Sequence, residues 1–248
     1  METIKKYLKE IEQQHGVKVL FACETGSRAW GFPSPDSDYD VRFLYMHEKD
    51  WYLSLGKQKD TIEFIDGDWD ISGWDLRKAL LMLMKSNPPL IERFQSPVNY
   101  YDQRVFSKEF RMLIEQFYSP TAVFFHHYSL ANNFWEEVRS GSDHRLKDFF
   151  YLVRSLLSCN WIINDKKVVP MHIEPLLKNI DSDIDKQLRQ LIRLKATKDE
   201  SYRHPKDAAM WKWINGMFET LESNKQNLGV TKGDTKLLDE FFIKTING

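Results

Sequence analysis

The stretch from Thr25 to Arg42, TGSRAWGFPSPDSDYDVR, constrains the fold more than any other part of the sequence. It begins with a Gly-Ser turn and a short helix-like piece, and it continues through a loop rich in Pro, Ser and Asp. Asp38 and Asp40 then stand at the start of an apolar run, Val41 to Met46. Because residues two apart in a strand point to the same face, a strand here makes both carboxylates project together.

The side chains and turns of this stretch are of the types that bind cations and phosphates. Two carboxylates side by side are the minimum that a protein needs to hold a hard divalent cation such as Mg²⁺. Gly26 and Ser27 offer backbone N–H groups and a hydroxyl at a predicted helix start, where phosphate binds well. Arg28 follows directly and adds a positively charged contact. This combination predicts nucleotide chemistry.

A predicted hairpin supplies a third carboxylate. Thr61 to Ile65 alternates in polarity, Asp66-Gly67 is a favourable two-residue turn, and Asp68 to Ser72 alternates again. Asp68 and Asp70 share one face of the second strand. Asp68 is next to the turn, where solvated carboxylates are common, whereas Asp70 stands among large apolar residues.

Asp38, Asp40 and Asp70 together form a candidate two-metal catalytic site. Two metal ions held about 3.5–4 Å apart stabilise both the attacking and the leaving oxygen of a phosphoryl displacement. Either Asp70 or Asp68 is then placed to accept the proton of the attacking hydroxyl. The sequence leaves open which of the two is the third ligand.

Two other interpretations of the acidic stretch follow from its residues. A calcium loop of the EF-hand type requires Gly where Val41 stands and a bidentate Glu where His47 stands, so it is rejected. A solvated turn ahead of a strand remains the alternative to a metal site.

One predicted helix, from Arg145 to Ile163, carries a polar stripe between apolar flanks. Lys147, Tyr151 and Arg154 recur on it at steps of four and three residues, which places them on one helix face. Such a face can line a cleft, with the Lys and the Arg on phosphate oxygens and the Tyr against a base or ribose. An ordinary solvated helix face is the alternative.

The order of predicted elements divides the chain in two. Up to Phe106, strand signals alternate with helical ones, which include a helix from Trp74 to Lys85. Beyond Phe106 only helical periodicity is seen, and Pro205 fits the first turn of one of these helices. We therefore predict an α/β domain over residues 1–105 and an all-helical domain over residues 106–248.

Composition excludes some classes of protein. The 248 residues carry a net charge of −1, so the whole chain lacks the strongly basic footprint of a nucleic-acid-binding protein. Cys23 and Cys159 lie far apart in apolar surroundings, which predicts buried free thiols in a reducing compartment. The sequence has no signal peptide, membrane span or lipidation motif, so we expect no membrane partner and a cytoplasmic location.

The motifs resemble the signature of the polymerase-β-type nucleotidyltransferase superfamily, in which a Gly-Ser turn precedes an Asp-x-Asp strand and a later strand Asp. The longer strings GSRAWGFPSPDSDYDVRFLY, DGDWDISGWDLRKAL, NPPLIERFQSP and KDFFYLVRSLLSCNWI resemble its RNA-repair-pathway polymerase-β branch (RlaP), with the YcgL-type proteins. The resemblance implies an α+β fold, a small mixed sheet with flanking helices followed by a helical domain. It implies Asp38, Asp40 and Asp70 as metal ligands and Gly26-Ser27 as the triphosphate turn.

The leading hypothesis is a Mg²⁺-dependent enzyme that transfers a nucleoside monophosphate from an NTP such as ATP to an acceptor hydroxyl and releases pyrophosphate. The acceptor is open: an RNA end is favoured by the name of the branch, and a protein or small-molecule hydroxyl fits the residues as well. A non-catalytic nucleotide sensor or partner-binding protein on the same fold is the second hypothesis. A two-domain protein with a merely solvated acidic loop is the third.

Overall fold

Helices and strands account for most of the chain in the computed structural model. The structure describes residues 1–56, 58–178, 180–229, 231 and 233–248, without the side chain at position 227. The helices are α1 (Glu2–His15), α2 (Gly26–Trp30), α3 (Lys49–Leu53), α4 (Leu76–Leu83), α5 (Pro88–Arg93), α6 (Arg104–Phe117), α7 (Pro120–Val138), α8 (Leu146–Asp165), α9 (Ile173–Leu176), α10 (Ser182–Lys195), α11 (Ala208–Asn224) and α12 (Thr235–Asn247). The strands are β1 (Val17–Glu24), β2 (Tyr39–His47), β3 (Thr61–Asp66), β4 (Trp69–Asp75), β5 (Asn99–Asp102), β6 (Asp143–Arg145) and β7 (Arg203–Pro205).

The chain forms two compact units. The sheet unit consists of Met1–Gly26, Asp38–Tyr118 and Thr231–Gly248, and the helical unit consists of Ser27–Ser37 and Ser119–Val230. The predicted boundary between residues 105 and 106 does not coincide with these units. The reason is that α6 packs on β1, and α12 packs on α4 and α6, so both helices belong with the sheet.

The sheet unit is built on a five-stranded sheet with the strand order β3-β4-β2-β1-β5. β2 runs parallel to β4, whereas the β1–β2, β1–β5 and β3–β4 pairs are antiparallel, so the sheet is mixed. Helices flank this sheet, and a largely helical region follows it. The predicted α+β fold is therefore confirmed. Along the described residues, no helix is both long enough and apolar enough to cross a membrane.

The apolar run of β1 explains its position inside the sheet. Seven of its eight residues are buried, which is typical of a strand covered on both faces. Ile4, Leu8 and Ile11 of α1 pack into the same core. Each fully buried side chain of this kind contributes about 1.5–3 kcal/mol of hydrophobic stabilisation. Cys23 and Cys159 are both buried free thiols, as the sequence predicts.

Close packing between β2 and β4 depends on a glycine. Gly73 is the register partner of Phe43 across the parallel pair. A Cβ atom at Gly73 would lie 2.2 Å from the Phe43 ring, so only a residue without a side chain admits the ring at this place. The Phe43 ring is completely buried as a result.

The predicted helix from Trp74 to Lys85 starts too early. β4 continues to Asp75 because Trp74 and Asp75 pair with Leu44 and Tyr45 of β2. Asp75 then caps α4, since its Oδ1 accepts a hydrogen bond from the Arg77 N–H at 2.8 Å. The long-range parallel pairing thus overrides the local helical pattern at the first two positions.

The prediction that strands stop after Phe106 is wrong. β6 and β7 form an antiparallel ribbon inside the helical unit, with His144 opposite His204. Strands of three residues are too short to show an alternating pattern. The predicted position of Pro205 in a first helical turn is also wrong, because it ends β7, and α11 begins only at Ala208 with Asp207 as its cap.

Candidate active site

Asp40 and Asp70 are neighbours across two parallel strands. They are register partners in the β2–β4 pair, so their side chains leave the sheet on the same face. Arg42 Nη2 donates to Asp40 Oδ1 at 3.0 Å and to Asp70 Oδ2 at 2.7 Å. Arg42 Nη1 also donates to the carbonyl oxygen of Asp70 at 2.8 Å. Two of the three predicted carboxylates therefore meet at one point, with an arginine as their shared counter-ion.

The end of β1 fixes the backbone of Asp40. Glu24, which is 1% exposed, accepts a hydrogen bond from the Asp40 N–H at 2.8 Å. Its other carboxylate oxygen accepts from the hydroxyl of Tyr100. The Thr25 N–H donates to the carbonyl oxygen of Asp40 at 2.9 Å. A buried carboxylate is costly unless its oxygens are hydrogen-bonded, so this network stabilises the strand that carries Asp40.

Gly26 lies directly against the carboxylate of Asp40. Its φ is +64°, a left-handed conformation that favours glycine. A Cβ atom at this position would lie 2.0 Å from Asp40 Oδ2, so any other residue would displace the carboxylate or the backbone. The predicted turn therefore brings its backbone next to one of the predicted metal ligands.

Asp38 and Asp68 are placed differently from the facing pair. β2 begins only at Tyr39, so Asp38 is exposed just ahead of the strand, and its alignment with Asp40 stays a prediction. Asp68 is exposed in the hairpin turn, where its carbonyl oxygen accepts from the Tyr39 N–H at 2.8 Å. The register therefore favours Asp70 over Asp68 as the residue that accompanies Asp40.

The donor set of this region suits magnesium bound together with phosphate. Among the described residues, no group of three or more His, Cys, Asp or Glu side chains is arranged to hold a metal ion. Mg²⁺, however, usually binds one or two carboxylates plus substrate phosphates, not a complete protein cage. The pair Asp40 and Asp70, with side chains 28% and 41% exposed, fits that mode of binding.

The thiol nearest to this pair does not take part in such chemistry. Cys23 is the register partner of Arg42 in the β1–β2 pair and is completely buried. Burial raises the pKa of Cys23 to about 12. The thiol is therefore protonated at neutral pH, and reactivity and metal binding both require the thiolate.

Ser27 and Arg28 hold the loop that follows Gly26. Ser27 is 5% exposed, and its carbonyl oxygen accepts from the N–H groups of Gly31 and Phe32. Arg28 donates through Nε and Nη2 to the carbonyl oxygen of Ser37 at 3.2 and 2.7 Å. Both residues stabilise the path of this loop, and their contact with phosphate stays a prediction.

Tyr151 and Arg154, two residues of the predicted stripe on α8, pack against Trp30. The ring centroids of Tyr151 and Trp30 are 5.1 Å apart, and the Arg154 guanidinium carbon lies 4.5 Å from the Trp30 centroid. Arg154 is 5% exposed and donates through Nε and Nη2 to the carbonyl oxygen of Met171 at 3.2 and 3.0 Å. The guanidinium is engaged in the interior of the unit, a placement that does not favour the predicted phosphate contact.

Lys147, the third residue of the stripe, forms an ion pair with Glu200. Glu200 Oε1 also accepts from the Ser37 hydroxyl at 3.0 Å, and Lys195 donates to the Ser34 hydroxyl at 2.8 Å. These contacts fasten the Pro- and Ser-rich loop within the helical unit. Lys147 therefore acts on the loop through Glu200, and its role as a phosphate ligand stays a prediction.

Several residues of the site were not predicted from the sequence. Arg42 had a usable signal, because the period of two in a strand puts it on the same face as Asp40. Glu24 had a weaker sequence signal, because it is only a single carboxylate at the end of an apolar run. Within the helical unit, the contact of Lys195 with Ser34 had no sequence signal, since the two residues are 161 positions apart along the chain.

Comparison with known proteins assigns the chain to a family. Residues 1–244 match the sequence model of RlaP, described as the RNA repair pathway DNA polymerase beta family. The chain belongs to this family. The resemblance inferred from the motifs is thus confirmed over residues 1–244 of this chain.

Individual relatives give two further comparisons for this RlaP family member. It is 35% identical over 243 residues to Uncharacterized protein YcgL of Bacillus subtilis (strain 168), an alignment that covers 96% of this chain and 94% of that protein. A crystal structure of a nucleotidyltransferase-like protein from Exiguobacterium sibiricum 255-15 aligns with 98% of this chain and 80% of its own, at 11% identity. Its TM-score of 0.30 is too low to support an inference.

Proposed function

We propose that this chain is a Mg²⁺-dependent nucleotidyltransferase, which transfers a nucleoside monophosphate from an NTP to an acceptor hydroxyl and releases pyrophosphate. The observation that carries the proposal is the close approach of Gly26 to Asp40, because it sets a backbone turn directly beside the Asp40–Asp70 pair. The description of the family as polymerase beta supports the same class of reaction.

Asp40 and Asp70, with Asp38 as a further ligand, would hold the two Mg²⁺ ions of such a reaction. When bound, the metal supplies charge neutralisation at the phosphates and a lower pKa for the acceptor hydroxyl. Asp70, with a side chain that is 41% exposed, would accept the hydroxyl proton. Catalysis of this kind rests mainly on positioning and on stabilisation of charge.

Arg42 orients the pair before a substrate arrives. Its guanidinium binds Asp40 through Oδ1, whereas Oδ2 is the oxygen that lies toward Gly26. The two oxygens of Asp40 therefore face different neighbours. The arginine keeps the Asp40 side chain in place for a cation that would bind the pair.

An RNA end is the acceptor that we propose first. The family description names an RNA repair pathway, which supports it, whereas the net charge of −1 adds nothing in its favour. A hydroxyl on a protein or on a small molecule is the alternative acceptor. Labelled product that disappears after RNase treatment supports RNA, and product that disappears after protease treatment supports a protein.

The central experiment is a labelling assay on the full chain. Purified protein is incubated with Mg²⁺, α-labelled NTPs and either cell RNA or lysate, and transferred label and released pyrophosphate are both measured. Asp40→Asn and Asp70→Asn should each lower transfer by about 100-fold or more, since they remove a charge from the reacting centre. Transfer that is equal in wild type and both variants would falsify the proposal.

Two further variants sharpen this assay. Glu63→Gln changes an exposed carboxylate on β3 that lies opposite Ser72, outside the pair, and should leave transfer unchanged. Asp68→Asn tests the alternative third ligand, and a loss as large as that of Asp70→Asn would move the third carboxylate to the turn.

A non-catalytic nucleotide-binding protein is the second candidate. The residue that favours it is again Arg42, because its guanidinium donates to one oxygen of each carboxylate and offsets their charge. This candidate expects NTP to raise the thermal unfolding temperature by mass action. It also expects no pyrophosphate release over hours under the same conditions.

A further inference from the structure

The helical unit contains a cavity that the proposed transfer reaction does not use. Its volume is about 380 Å³, within the range of about 300–1,000 Å³ that is usual for small-molecule sites. β6, β7, α8, α10 and the start of α11 supply its walls. We call it the His144 cavity, after the residue on β6 that lines it together with Phe149 and Trp211.

Aromatic rings form one wall of the His144 cavity. The rings of Phe149 and Trp211 lie nearly parallel, with an interplanar angle of 11° and centroids 6.0 Å apart. The His144 ring packs against both, with its centroid 5.0 Å from that of Phe149 and 4.9 Å from that of Trp211. Such a wall favours a flat, apolar face of a ligand.

His144, which lines the cavity, has two buried ring nitrogens without a hydrogen-bond partner among the described residues. The residue is 3% exposed, and the two atoms are Nδ1 and Nε2. Buried polar groups in native proteins are nearly always hydrogen-bonded, so an exception calls for an explanation. A ligand with its own hydrogen-bond donor or acceptor next to the imidazole would explain the missing partners.

Apart from Asp207, the remaining polar side chains of the lining are two amides and a second imidazole. Gln187 and Gln190 belong to α10, and His204 belongs to β7. Each glutamine amide offers both donors and an acceptor, and a neutral imidazole offers one of each. This set matches the edge of a ring that itself carries donors and acceptors.

The charges of the lining disfavour a phosphate. Among the described lining residues there is no Lys or Arg, and the one carboxylate is that of Asp207. Lys206 lies next to the lining, with its Nζ 5.2 Å from the Trp211 ring centroid, but it donates to the carbonyl oxygens of Arg139 and Ser140. A phosphate would therefore meet no cation in the lining itself and would face that carboxylate, so the cavity suits a neutral ligand better than a nucleotide.

We propose that the His144 cavity binds a neutral, planar heteroaromatic molecule with donors and acceptors on its ring edge, which is the chemistry of a nucleobase or nucleoside without phosphate. The aromatic wall takes the face of the ring, and His144 with Gln187 and Gln190 takes its edge. The proposal does not depend on nucleotidyl transfer, since none of these residues belongs to the Asp40–Asp70 pair.

The test uses the full chain with histidine labelled by ¹⁵N at the ring nitrogens. Adenosine, guanosine, cytidine and uridine are titrated in turn, and the ring signals of His144 are identified by their loss in His144→Phe. At least one nucleoside should shift these signals in a saturable way. If none of the four shifts them up to the solubility limit, the proposal fails.

Variants locate the ligand. His144→Phe keeps the ring and removes both nitrogens, and Gln190→Leu changes an exposed position and should fold normally. Each should weaken binding of the nucleoside, measured by titration calorimetry, by about 3- to 10-fold for the lost hydrogen bond.

The matched control is His127→Phe. His127 is another buried histidine with an unpartnered ring nitrogen among the described residues, and it lies on α7 outside the cavity. Its substitution should leave the affinity for the nucleoside unchanged. Equal affinity in His144→Phe, Gln190→Leu and wild type overturns the assignment.

Two comparisons separate this site from the proposed active site. The 5′-monophosphate of the bound nucleoside should bind more weakly than the nucleoside in the absence of divalent metal, and equal or tighter binding overturns the neutral-ligand assignment. Asp40→Asn should retain nucleoside binding whether or not it abolishes label transfer. A loss of nucleoside binding in Asp40→Asn would show that the nucleoside occupies another site and would also overturn the assignment.

Discussion

Asp40 lies directly opposite Asp70 in the parallel β2–β4 pair, and a single nitrogen of Arg42 donates to both carboxylates. Two neighbouring carboxylates repel each other, and the positive charge of Arg42 offsets that repulsion. The three side chains are 20%, 28% and 41% exposed for Arg42, Asp40 and Asp70, so water screens the pair only in part. A divalent cation bound at the proposed site would therefore serve the same electrostatic purpose as Arg42.

The first prediction concerns the substitution Arg42→Gln. Without divalent metal it should lower the free energy of unfolding by about 1 kcal/mol, the usual scale for a partly exposed ion pair. Because the two carboxylates then lack a counter-ion, Mg²⁺ should raise the unfolding temperature of the variant more than that of wild type. Thermal unfolding with and without MgCl₂ measures both effects.

The control for this substitution is Arg139→Gln, which removes an exposed i,i+3 ion pair with Glu136 on α7. Its unfolding temperature should respond to Mg²⁺ as that of wild type does. An equal magnesium response in Arg42→Gln and Arg139→Gln would argue against a cation site at the carboxylate pair.

The second prediction compares alanine at two left-handed glycines. Gly16 has a φ of +60°, and a Cβ added there would meet no atom of the described residues within 4 Å, whereas Gly26 has a φ of +64° and a clash with Asp40. Both changes to Ala should cost about 1–3 kcal/mol for the backbone conformation. Only Gly26→Ala displaces the Asp40 carboxylate, so it alone should lower label transfer, by about 100-fold.

Urea unfolding and the labelling assay together test this comparison. The informative quantity is the transfer rate at equal folded fraction in the two variants. If Gly26→Ala and Gly16→Ala transferred label at the same rate, the position of Asp40 would be unimportant for the reaction.

The third prediction concerns packing between β2 and β4. Gly73→Ala places a Cβ 2.2 Å from the fully buried Phe43 ring, so it should lower the free energy of unfolding by about 1–3 kcal/mol. Gly216→Ala on α11 meets no atom within 4 Å in the described part of the chain beyond its own helix backbone, and it should instead raise stability by about 0.5–1 kcal/mol, because alanine favours helix. The urea unfolding midpoints of the two variants measure these changes in stability. A shift of both midpoints in the same direction would contradict the predicted roles of Gly73 and Gly216.

The fourth prediction is a dependence of stability on pH. Burial is the main reason that the pKa of His144 falls from its ordinary 6.5 to about 4, with a smaller effect of the positive groups on His204 and Lys206. Between these two values the unfolded chain binds a proton that the folded chain does not. The contribution of His144 is therefore fully present above pH 6.5 and is lost progressively as the pH falls toward 4.

The substitution His144→Phe isolates this contribution. Buried His127 and half-buried His204 also have lowered pKa values and act in the same direction, so wild type and variant should both lose stability in acid. The variant should lose less of it between pH 6.5 and 4, as measured by urea unfolding at a series of pH values. Parallel stability curves for the two proteins would show that His144 does not titrate as described.

The candidate site was predictable where its residues follow one another at strand spacing. Asp40 and Asp70 each stand in a short alternating segment, and Gly26 stands in a turn next to an apolar run, so local patterns single them out. The expected alignment of Asp38 with Asp40 stays a prediction. Asp38 lies one residue ahead of β2, and the ends of elements are the least predictable part of any pattern.

The sequence by itself determined the presence of a mixed α/β region, the helical region after it and the family to which the chain belongs. Each depends on periodicity or on motifs within a few tens of residues. Only the tertiary structure decided that Asp40 faces Asp70 and that Arg42 joins them. It also decided that Arg154 is buried against Met171, and that β6 and β7 form a ribbon with His144 on a cavity. These features come from strand register and side-chain packing between distant segments, and such contacts leave no periodic trace in either segment alone.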